Sequence, residues 1–338
     1  MPTGSTTPSG AAGAWSIVPG SVQPAMSDLN AIACASSSDC WAVGSLLEHY
    51  TGSGWTVSSI PGAGDLDGVE CLSSADCWAV GVGSGPGAPT EHYDGSDWTV
   101  VSSPDTGLGG DQLNGVACVS SDDCWAVGFS GVADDASKVP LIEQYTADGW
   151  AVESSVGSTS PGLNPSLSAV SCPTSAECWA VGGVIDHYDG SGWVQAGGTA
   201  FGPGVGLGGI SCLNATDCWA VGGSPASGII IEHYDGSAWA TVSDPTAYAD
   251  GELTDVACIS STECWAVGYY LDGAGTGTLV EEYSGSSWSV VESPSVDTGG
   301  DALTGVACPT EGDCWASGTT SDISPDEKAF IETVGGSG

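Results

Sequence analysis

Seven copies of one cysteine-containing motif organise this chain of 338 residues. The consensus is Cys-x5-Cys-Trp-Ala-Val-Gly, first met at Cys34–Gly44, and its second cysteine recurs at intervals of 37 to 54 residues. A repeat of this length with several short apolar runs in each copy predicts a propeller or a solenoid rather than a set of independent domains. The motif constrains the function much less than the fold, because it indicates neither a ligand nor a substrate.

The motif includes all 14 cysteines of the chain, in pairs of one fixed separation. Such pairs suit disulfides in an oxidising compartment, whereas a structural zinc site usually joins two close pairs with two to four intervening residues. We therefore predict seven disulfides, each worth roughly 2 kcal/mol in the chain-entropy model. The pairs are Cys34 with Cys40, Cys71 with Cys77, Cys118 with Cys124, Cys172 with Cys178, Cys212 with Cys218, Cys258 with Cys264, and Cys308 with Cys314.

Each repeat also contains four short runs with the composition of β-strands. Leu113–Cys118 exemplifies the first run, Cys-Trp-Ala-Val-Gly is the second, Ile229–Tyr234 exemplifies the third and Trp98–Val101 the fourth. Runs of β-branched and aromatic residues bounded by Gly, Asp, Ser and Pro indicate strands, and Tyr-Asp-Gly-Ser before the fourth run indicates a hairpin. No window has the apolar period of a helix. The sequence predicts an all-β fold of four-stranded antiparallel blades.

The fourth run predicts how the two ends of the chain complete the last blade. Its tryptophan occurs in the first six copies, at Trp55, Trp98, Trp150, Trp193, Trp239 and Trp288. The seventh copy ends at Phe330–Val334 without a fourth run, and Ala14–Pro19 ahead of the first copy matches the missing pattern. We predict a seven-bladed β-propeller whose last blade is closed by the N-terminal strand, an arrangement that removes two exposed sheet edges.

The runs also give approximate boundaries for the predicted blades. These are residues 29–61, 66–104, 113–156, 167–198, 207–245, 253–294, and 303–334 together with 14–19. Residues 1–13 have the composition of a flexible linker or tail. The length variation falls mainly between the second and third strands and after the fourth strand, and these are the loops in which a propeller diversifies for binding.

The charge balance restricts the partners of the chain. It carries 42 Asp and Glu residues against two basic side chains, Lys138 and Lys328, for a formal net charge of −40. This excludes binding to nucleic acid, since affinity for phosphate depends on Lys and Arg. No apolar run reaches the length of roughly 18 residues that a membrane span needs. Together with the disulfides, the composition predicts an extracellular or cell-surface protein whose export signal has been removed.

Two further motifs carry a resemblance to known propellers. Gly182 and Gly183, followed by Tyr188 and Trp193, resemble the kelch repeat. The whole unit, with Asp-Cys-Trp-Ala-Val-Gly and Glu-His-Tyr-Asp-Gly-Ser-x-Trp, is more similar to the Cys-Trp-Ala-Val-Gly repeats of bacterial exported propeller proteins. This resemblance covers residues 14–334 and implies a surface or extracellular propeller. It implies no catalytic residues.

Alignment of the copies reveals two complete acidic columns. The first precedes the second cysteine, at Asp39, Asp76, Asp123, Glu177, Asp217, Glu263 and Asp313. The second lies on the third strand, at Glu48, Glu91, Glu143, Asp186, Glu232, Glu281 and Glu332. For the first column we expect bonds from backbone N–H groups of the cysteine turn, with calcium sites as the alternative. For the second we expect buried carboxylates that accept a bond from a Trp indole or a backbone N–H.

The histidines and tryptophans predict packing. Four histidines share one column, and equivalent positions on different blades are too far apart for one metal site. They are His49, His92, His187 and His233. The 14 Trp residues, two in each copy, have the frequency of packing anchors between sheets.

The candidates for ligand binding are residues that depart from the repeat pattern. They are Phe129, Phe201, Tyr248, Asp255, Tyr269 and Tyr270. The aromatic rings suit stacking on sugars, and Asp255 stands where other copies have Gly or Ala on the innermost strand. For acid–base catalysis the first residues to inspect are Asp134, Asp135, Asp255 and Asp272. The chain lacks arginine for a carboxylate clamp, a phosphate-binding loop and a nucleophile elbow.

We therefore predict a non-enzymatic extracellular or cell-surface propeller that recognises a glycan, a protein or a matrix component through variable loops. One alternative is a structural subunit that polymerises by donating its N-terminal strand to a neighbour. Another is a carboxylate-based hydrolase or lyase. We expect no cofactor, with calcium as the alternative, and a monomer rather than a polymer.

Overall fold

The computed structural model is all-β across the residues it describes, which form 28 strands and no helix. The described residues are 14–19, 21–23, 27–62, 64–131, 138–153, 166–196, 201, 204–224, 227–246, 250–271, 275–296, 300–320 and 328–335. The predicted linker at residues 1–13 lies outside these ranges. The all-β class is confirmed, and its physical basis is the density of β-branched and aromatic residues between Gly-rich turns.

The strands recur in the order predicted from the four runs, and we group them as repeats 1 to 7. The first strands are β2 (Leu29–Ser36), β6 (Gly64–Ser73), β10 (Gln112–Ser120), β14 (Leu167–Thr174), β18 (Gly206–Asn214), β22 (Gly251–Ser260) and β26 (Asp301–Thr310). The second strands are β3 (Asp39–Gly44), β7 (Asp76–Gly83), β11 (Asp123–Ser130), β15 (Glu177–Gly182), β19 (Asp217–Ser224), β23 (Glu263–Leu271) and β27 (Asp313–Thr320).

The outer strands complete each repeat. The third strands are β4 (Leu47–Tyr50), β8 (Thr90–Tyr93), β12 (Val139–Thr146), β16 (Ile185–Tyr188), β20 (Gly228–Tyr234), β24 (Thr276–Tyr283) and β28 (Ala329–Val334). The fourth strands are β5 (Trp55–Ser58), β9 (Trp98–Val101), β13 (Gly149–Glu153), β17 (Trp193–Gln195), β21 (Trp239–Val242) and β25 (Trp288–Val291). The remaining strand, β1 (Ser16–Ile17), precedes repeat 1.

Consecutive strands of a repeat pair antiparallel, as in β10 to β13. The short β1 pairs antiparallel with β28, with Ser16 opposite Thr333 and Ile17 opposite Glu332. Three sheets have four strands and two have eight. The larger sheets arise where one residue pair joins neighbouring repeats, because Gln112 lies opposite Val82 in one sheet and Gly223 opposite Glu252 in the other.

The seven predicted disulfides are confirmed. The Cα atoms of each pair are 4.0 to 4.2 Å apart, and no cysteine among the described residues is free. Each bond closes the hairpin between the first and second strands of its repeat, and the second cysteine is fully buried. The disulfide therefore links the hairpin covalently next to the core.

Aromatic packing joins each repeat to the next. The ring of Trp41 lies 4.9 Å from Tyr93 and 5.2 Å from Trp98, centroid to centroid, and the same three-ring contact recurs along the chain. In repeat 7 the second-strand Trp315 lies 4.6 Å from Tyr50 of repeat 1. Trp15 lies 5.6 Å from Trp265 of repeat 6. Tryptophan therefore packs between neighbouring sheets, as expected from the repeat.

The first strands lie side by side around a cavity of about 470 Å³ that residues of all seven line. A side chain one position after the buried leucine reaches the next repeat: Asn30 Nδ2 donates to the Leu66 carbonyl at 3.0 Å. Thr304 Oγ1 of repeat 7 donates in the same way to the Leu29 carbonyl of repeat 1 at 2.7 Å. The inner strands are therefore connected by polar contacts, and the outer parts of the sheets by aromatic ones.

Candidate functional sites

The antiparallel order places the length-variable connections at one end of the sheets. In repeat 3, the cysteine turn and the turn before Trp150 lie at one end, where Cys124 is opposite Tyr145. The connection from β11 to β12 and the entry to β10 lie at the other end, where Gly128 is opposite both Leu113 and Leu141. We call these the cysteine end and the variable end. Residues specific to one repeat are therefore expected at the variable end.

The first acidic column does not cap the cysteine turns, so that prediction is wrong for most copies. Oδ1 of Asp39 lies 2.7 Å from His49 Nε2 on the neighbouring third strand, and Asp123 accepts from Gln144 Nε2 at 3.0 Å. The same pairing joins Asp76 to His92, Glu177 to His187 and Asp217 to His233. Glu263 differs, since it accepts from the backbone N–H of Gly312 at 3.1 Å. The column instead joins strands to each other and repeats to each other.

A residue three positions earlier caps the turn instead. In repeat 5, Asn214 Oδ1 accepts from the backbone N–H of Thr216 at 2.9 Å, and Ser73 Oγ does the same for Ala75 at 3.2 Å. Asn, Ser and Thr at this position are turn formers for that reason. Asn214 also begins an Asn-Ala-Thr glycosylation motif, and its side chain is engaged in this turn.

The histidine column has the packing role predicted for it. The imidazole of His49 stacks on Trp41 with centroids 3.9 Å apart and planes 3° apart, and its edge meets Asp39. His187 and His233 stack in the same way on Trp179 and Trp219. Among the described residues, no group of three or more His, Cys, Asp or Glu side chains is arranged to hold a metal ion.

The second acidic column is fully buried, with 0% exposure at all seven positions. Its partners differ from the prediction. Glu91 accepts from the Gly62 backbone N–H at 2.8 Å, as expected, but Glu143 accepts from Ser103 Oγ at 2.9 Å and Glu332 from Ser293 Oγ at 2.8 Å. No Trp indole among the described residues donates to this column. The Trp265 indole donates instead to Glu263 of the first column, at 3.3 Å.

Burial raises the pKa values of Glu48, Glu91, Glu143, Asp186, Glu281 and Glu332. Burial alone raises the pKa of Glu48 to about 7 and that of Asp186 to about 6. Burial and the neighbouring Asp244 carboxyl raise the pKa of Glu281 to about 8. For Glu332, burial together with Asp301 raises the pKa to about 8 in spite of the bond from Ser293. These six acids therefore keep their protons at unusually high pH.

Two of the candidate aromatic residues are buried. Phe129 and Phe201 are each 7% exposed. Phe201 packs in the cluster that contains Trp179 and Trp239, and the Lys138 ammonium lies 3.9 Å from the Phe129 ring centroid. Both rings contribute to packing between elements of the fold. Tyr248 and the catalytic candidates Asp134, Asp135 and Asp272 lie outside the described residues.

Asp255 lies on β22, the first strand of repeat 6, and contacts the first strand of repeat 7. Its carboxylate accepts from the backbone N–H of Val256 at 2.8 Å and from that of Val306 in repeat 7 at 2.9 Å. Burial raises its pKa to about 6. Asp255 also lines the central cavity, together with Asp67 and Glu70. Its bonds tie β22 to β26, which accounts for an acid at a position where the other copies have Gly or Ala.

Tyr269 lies at the variable end beside an acid that sequence reasoning missed. The Tyr269 hydroxyl donates to Glu252 Oε2 at 2.9 Å. Glu252 borders a cleft of about 310 Å³ whose other lining residues include Ser166, Ser224 and the glycines Gly182, Gly183, Gly206 and Gly223. Tyr270 points to the other side of the strand and packs on the core cluster of repeats 5 and 6. No repeat-wide pattern marks Glu252, so only the tertiary structure identifies it.

A second groove of about 430 Å³ runs between repeats 1 and 2. It is lined by His49 and Tyr93, by the hydroxyls of Ser58 and Ser59, and by Asp97. The aromatic stack at its base recurs in other repeats, so the groove is part of the general contact between repeats.

The fold is that of a propeller with repeated blades and a disulfide in each repeat. The chain is similar to YCF48 bound to D1 peptide, at 15% identity and a TM-score of 0.59, over 94% of this chain and 96% of that one. It is similar to the WD40 propeller domain of Doa1, at 11% identity and a TM-score of 0.61, with the same coverage.

A third similar structure is the six-bladed fucose-recognising lectin of Aleuria aurantia, at 12% identity and a TM-score of 0.55. That match covers 80% of this chain and 96% of the lectin. No protein-family model and no curated protein sequence match the chain. Among the described residues, no helix is long and apolar enough to cross a membrane.

Proposed function

We propose that the chain is a seven-bladed propeller that binds a ligand at its variable end without catalysing a reaction. Seven blades are supported by the recurrent aromatic contact, which returns from repeat 7 to repeat 1 through Trp315 and Tyr50. Closure by the N-terminal strand is supported by the pairing of β1 with β28 and the contact of Trp15 with Trp265. A six-bladed lectin that covers about four fifths of the chain agrees with one additional blade. The blade boundaries are those given from the sequence.

The ligand class we propose is a neutral glycan, and the observation that carries it is the Glu252 cleft. The cleft is lined by a carboxylate, by serines and by glycines, whose backbone groups are not covered by side chains. Groups of this kind can form hydrogen bonds with the hydroxyl groups of a sugar. A net charge of −40 disfavours anionic ligands. The fucose-binding lectins of similar fold agree with this class. A protein or matrix component is the alternative partner, and YCF48, which has a similar fold, is an example of a propeller with a bound peptide. The disulfides support an extracellular or cell-surface location.

A glycan array with the intact protein tests the proposal, in the presence and absence of calcium. We expect calcium-independent binding to neutral sugars, weakened about tenfold or more in Glu252→Gln, because the amide replaces the acceptor of the sugar hydroxyls. Tyr269→Phe should weaken it less. Glu153→Gln, an exposed acid on β13, is the matched control and should bind normally. Binding unaffected by Glu252→Gln, or no glycan binding at all, would leave the protein partner as the better hypothesis.

The alternative function, a structural subunit that polymerises by strand donation, makes a separate prediction about molecular mass in solution. A chain whose N-terminal strand closes its own sheet should be a monomer in solution, and Trp15→Ala should destabilise it by about 3 kcal/mol or more. Light scattering measures the first property and urea denaturation the second. Concentration-dependent polymers of the unmodified chain, lost in Trp15→Ala, would favour strand donation between molecules instead.

A further inference from the structure

Three buried acids of the third strands bind the chain that enters their own repeat from the preceding one. Gly62, Ser103 and Ser293 lie between the fourth strand of one repeat and the first strand of the next. They donate to Glu91, Glu143 and Glu332 of the following repeat, respectively. The relation recurs in three different parts of the chain, whereas Glu232 accepts from Thr241 Oγ1 on the fourth strand of its own repeat, at 2.8 Å.

A fourth contact of this kind joins two acids. Asp244 lies in the connection from β21 to β22, and its carboxyl group is close enough to that of Glu281 on β24 to raise the pKa of Glu281. Two carboxyl groups can share a hydrogen bond only when one of them carries a proton. When both groups are ionised, they repel each other at short range.

The groups that face three of these acids are themselves acidic. Asp111 lies near Glu143, Asp301 near Glu332, and Asp244 near Glu281. Glu91 is in tight contact with its connection, since a Cβ atom on Gly62 would lie 2.6 Å from Glu91 Oε1. The four third-strand carboxyl groups are fully buried, so water cannot compensate for their ionisation.

We propose that the carboxyl groups of Glu91, Glu143, Glu281 and Glu332 form a latch that is closed when they carry their protons. In the neutral form they hold the connections between repeats against the sheets, and ionisation releases those connections at the variable end. The latch consists only of groups of this chain, so it does not depend on whether the variable end binds a glycan.

The direction of the pH dependence follows from the raised pKa values. In the unfolded chain a glutamic acid titrates near 4.5, whereas Glu143 in the fold titrates at about 7 and Glu281 at about 8. The stabilising contribution of such a group is complete below the unfolded value. It is lost progressively as the pH rises towards the folded value, because the unfolded chain then releases more protons.

Hydrogen exchange followed by mass spectrometry tests the latch, with rates corrected for the intrinsic effect of pH. In the unmodified protein, protection of the backbone around Ser103 should fall about tenfold or more between about pH 5 and about pH 8. Glu143→Gln carries a permanently neutral group of the same size and should keep its protection across this range. Glu153→Gln should behave as the unmodified protein does. Measurements at about 0.5 M NaCl screen repulsion between surface charges.

Three results would overturn the proposal. They are pH-independent protection in the unmodified protein, an unchanged pH dependence in Glu143→Gln, and failure of Glu143→Gln to fold at about pH 5, where the native carboxyl is neutral as well. Ser103→Ala gives an independent measurement, since removal of the donor should lower protection of this connection at about pH 5 while the rest of the chain is unaffected. No change in Ser103→Ala would count against the latch. Because no ligand is present in these measurements, their failure is distinct from failure of glycan binding.

Discussion

At the scale of single residues, the glycine that ends the repeated motif is explained by close approach of backbones. A Cβ atom on Gly128 would lie 2.0 Å from the carbonyl oxygen of Gln112, and the equivalent glycines of the other repeats except Gly318 would meet a backbone oxygen at 2.0 to 2.3 Å. The cause is a register shift between Leu113 and Gly115, which brings the two strands together. The motif therefore ends in Gly for a packing reason, and no ligand is needed to explain it.

Gly128→Ala should destabilise the fold by about 2 kcal/mol or more, because a backbone oxygen cannot move away without breaking the hairpin. Urea denaturation followed by circular dichroism measures the effect. Gly85→Ala is the matched control, since nothing lies within 4 Å of its added Cβ. Equal denaturation midpoints for the two variants would contradict this account of the motif.

At the scale of elements, the hairpin between the first and second strands is the unit that recurs with least change. A disulfide closes it in every repeat. In five repeats a Ser, Thr or Asn caps its turn, and in five its acid binds the third strand. The third strands vary more, from four to eight residues, and the connections of variable length lie at the variable end. The division between a fixed hairpin and variable connections is what lets seven similar units present different surfaces.

Replacement of both Cys118 and Cys124 by Ala should lower the free energy of unfolding by about 2 kcal/mol, the loop-closure entropy of a short ring. The denaturation midpoint of the oxidised protein measures it. Ser121→Ala, in the same turn, removes only the bond to Asp76 and should have a much smaller effect. A midpoint that is unchanged by loss of the disulfide would mean that the hairpin is held by packing alone.

At the scale of the whole molecule, the excess of acid is the dominant property. With 42 acidic and two basic side chains, self-repulsion among exposed carboxylates opposes the compact state. Six buried acids of the third strands contribute separately, because their raised pKa values keep them neutral in the fold over a pH range in which they ionise in the unfolded chain. Mildly acidic solution therefore stabilises the protein in two ways.

Raising the salt concentration from about 20 mM to about 500 mM NaCl near neutral pH should raise the denaturation midpoint, because screening weakens repulsion between exposed charges. Calcium chloride at the same ionic strength should have the same effect if it acts only by screening. A further increase with calcium that saturates at low concentration would indicate a specific cation site and would support the calcium alternative raised by the first acidic column.

The repeated motif determined most of the fold by itself. Strand composition, the fixed cysteine separation and the two Trp columns are local or periodic signals, so the strand order, the disulfides and packing by tryptophan followed from them. Even the burial of the third-strand acids was predictable, since the inner faces of packed sheets leave no solvent for them.

Only the tertiary structure decided which groups meet across repeats. The first acidic column binds histidine on the third strand rather than the turn, Phe129 and Phe201 lie in the core, and Glu252 joins Tyr269 beside a cleft. The donors to Glu143 and Glu332 come from the preceding repeat, in segments that differ between copies. Contacts of this kind depend on how neighbouring sheets pack, and a pattern within one repeat does not contain that information.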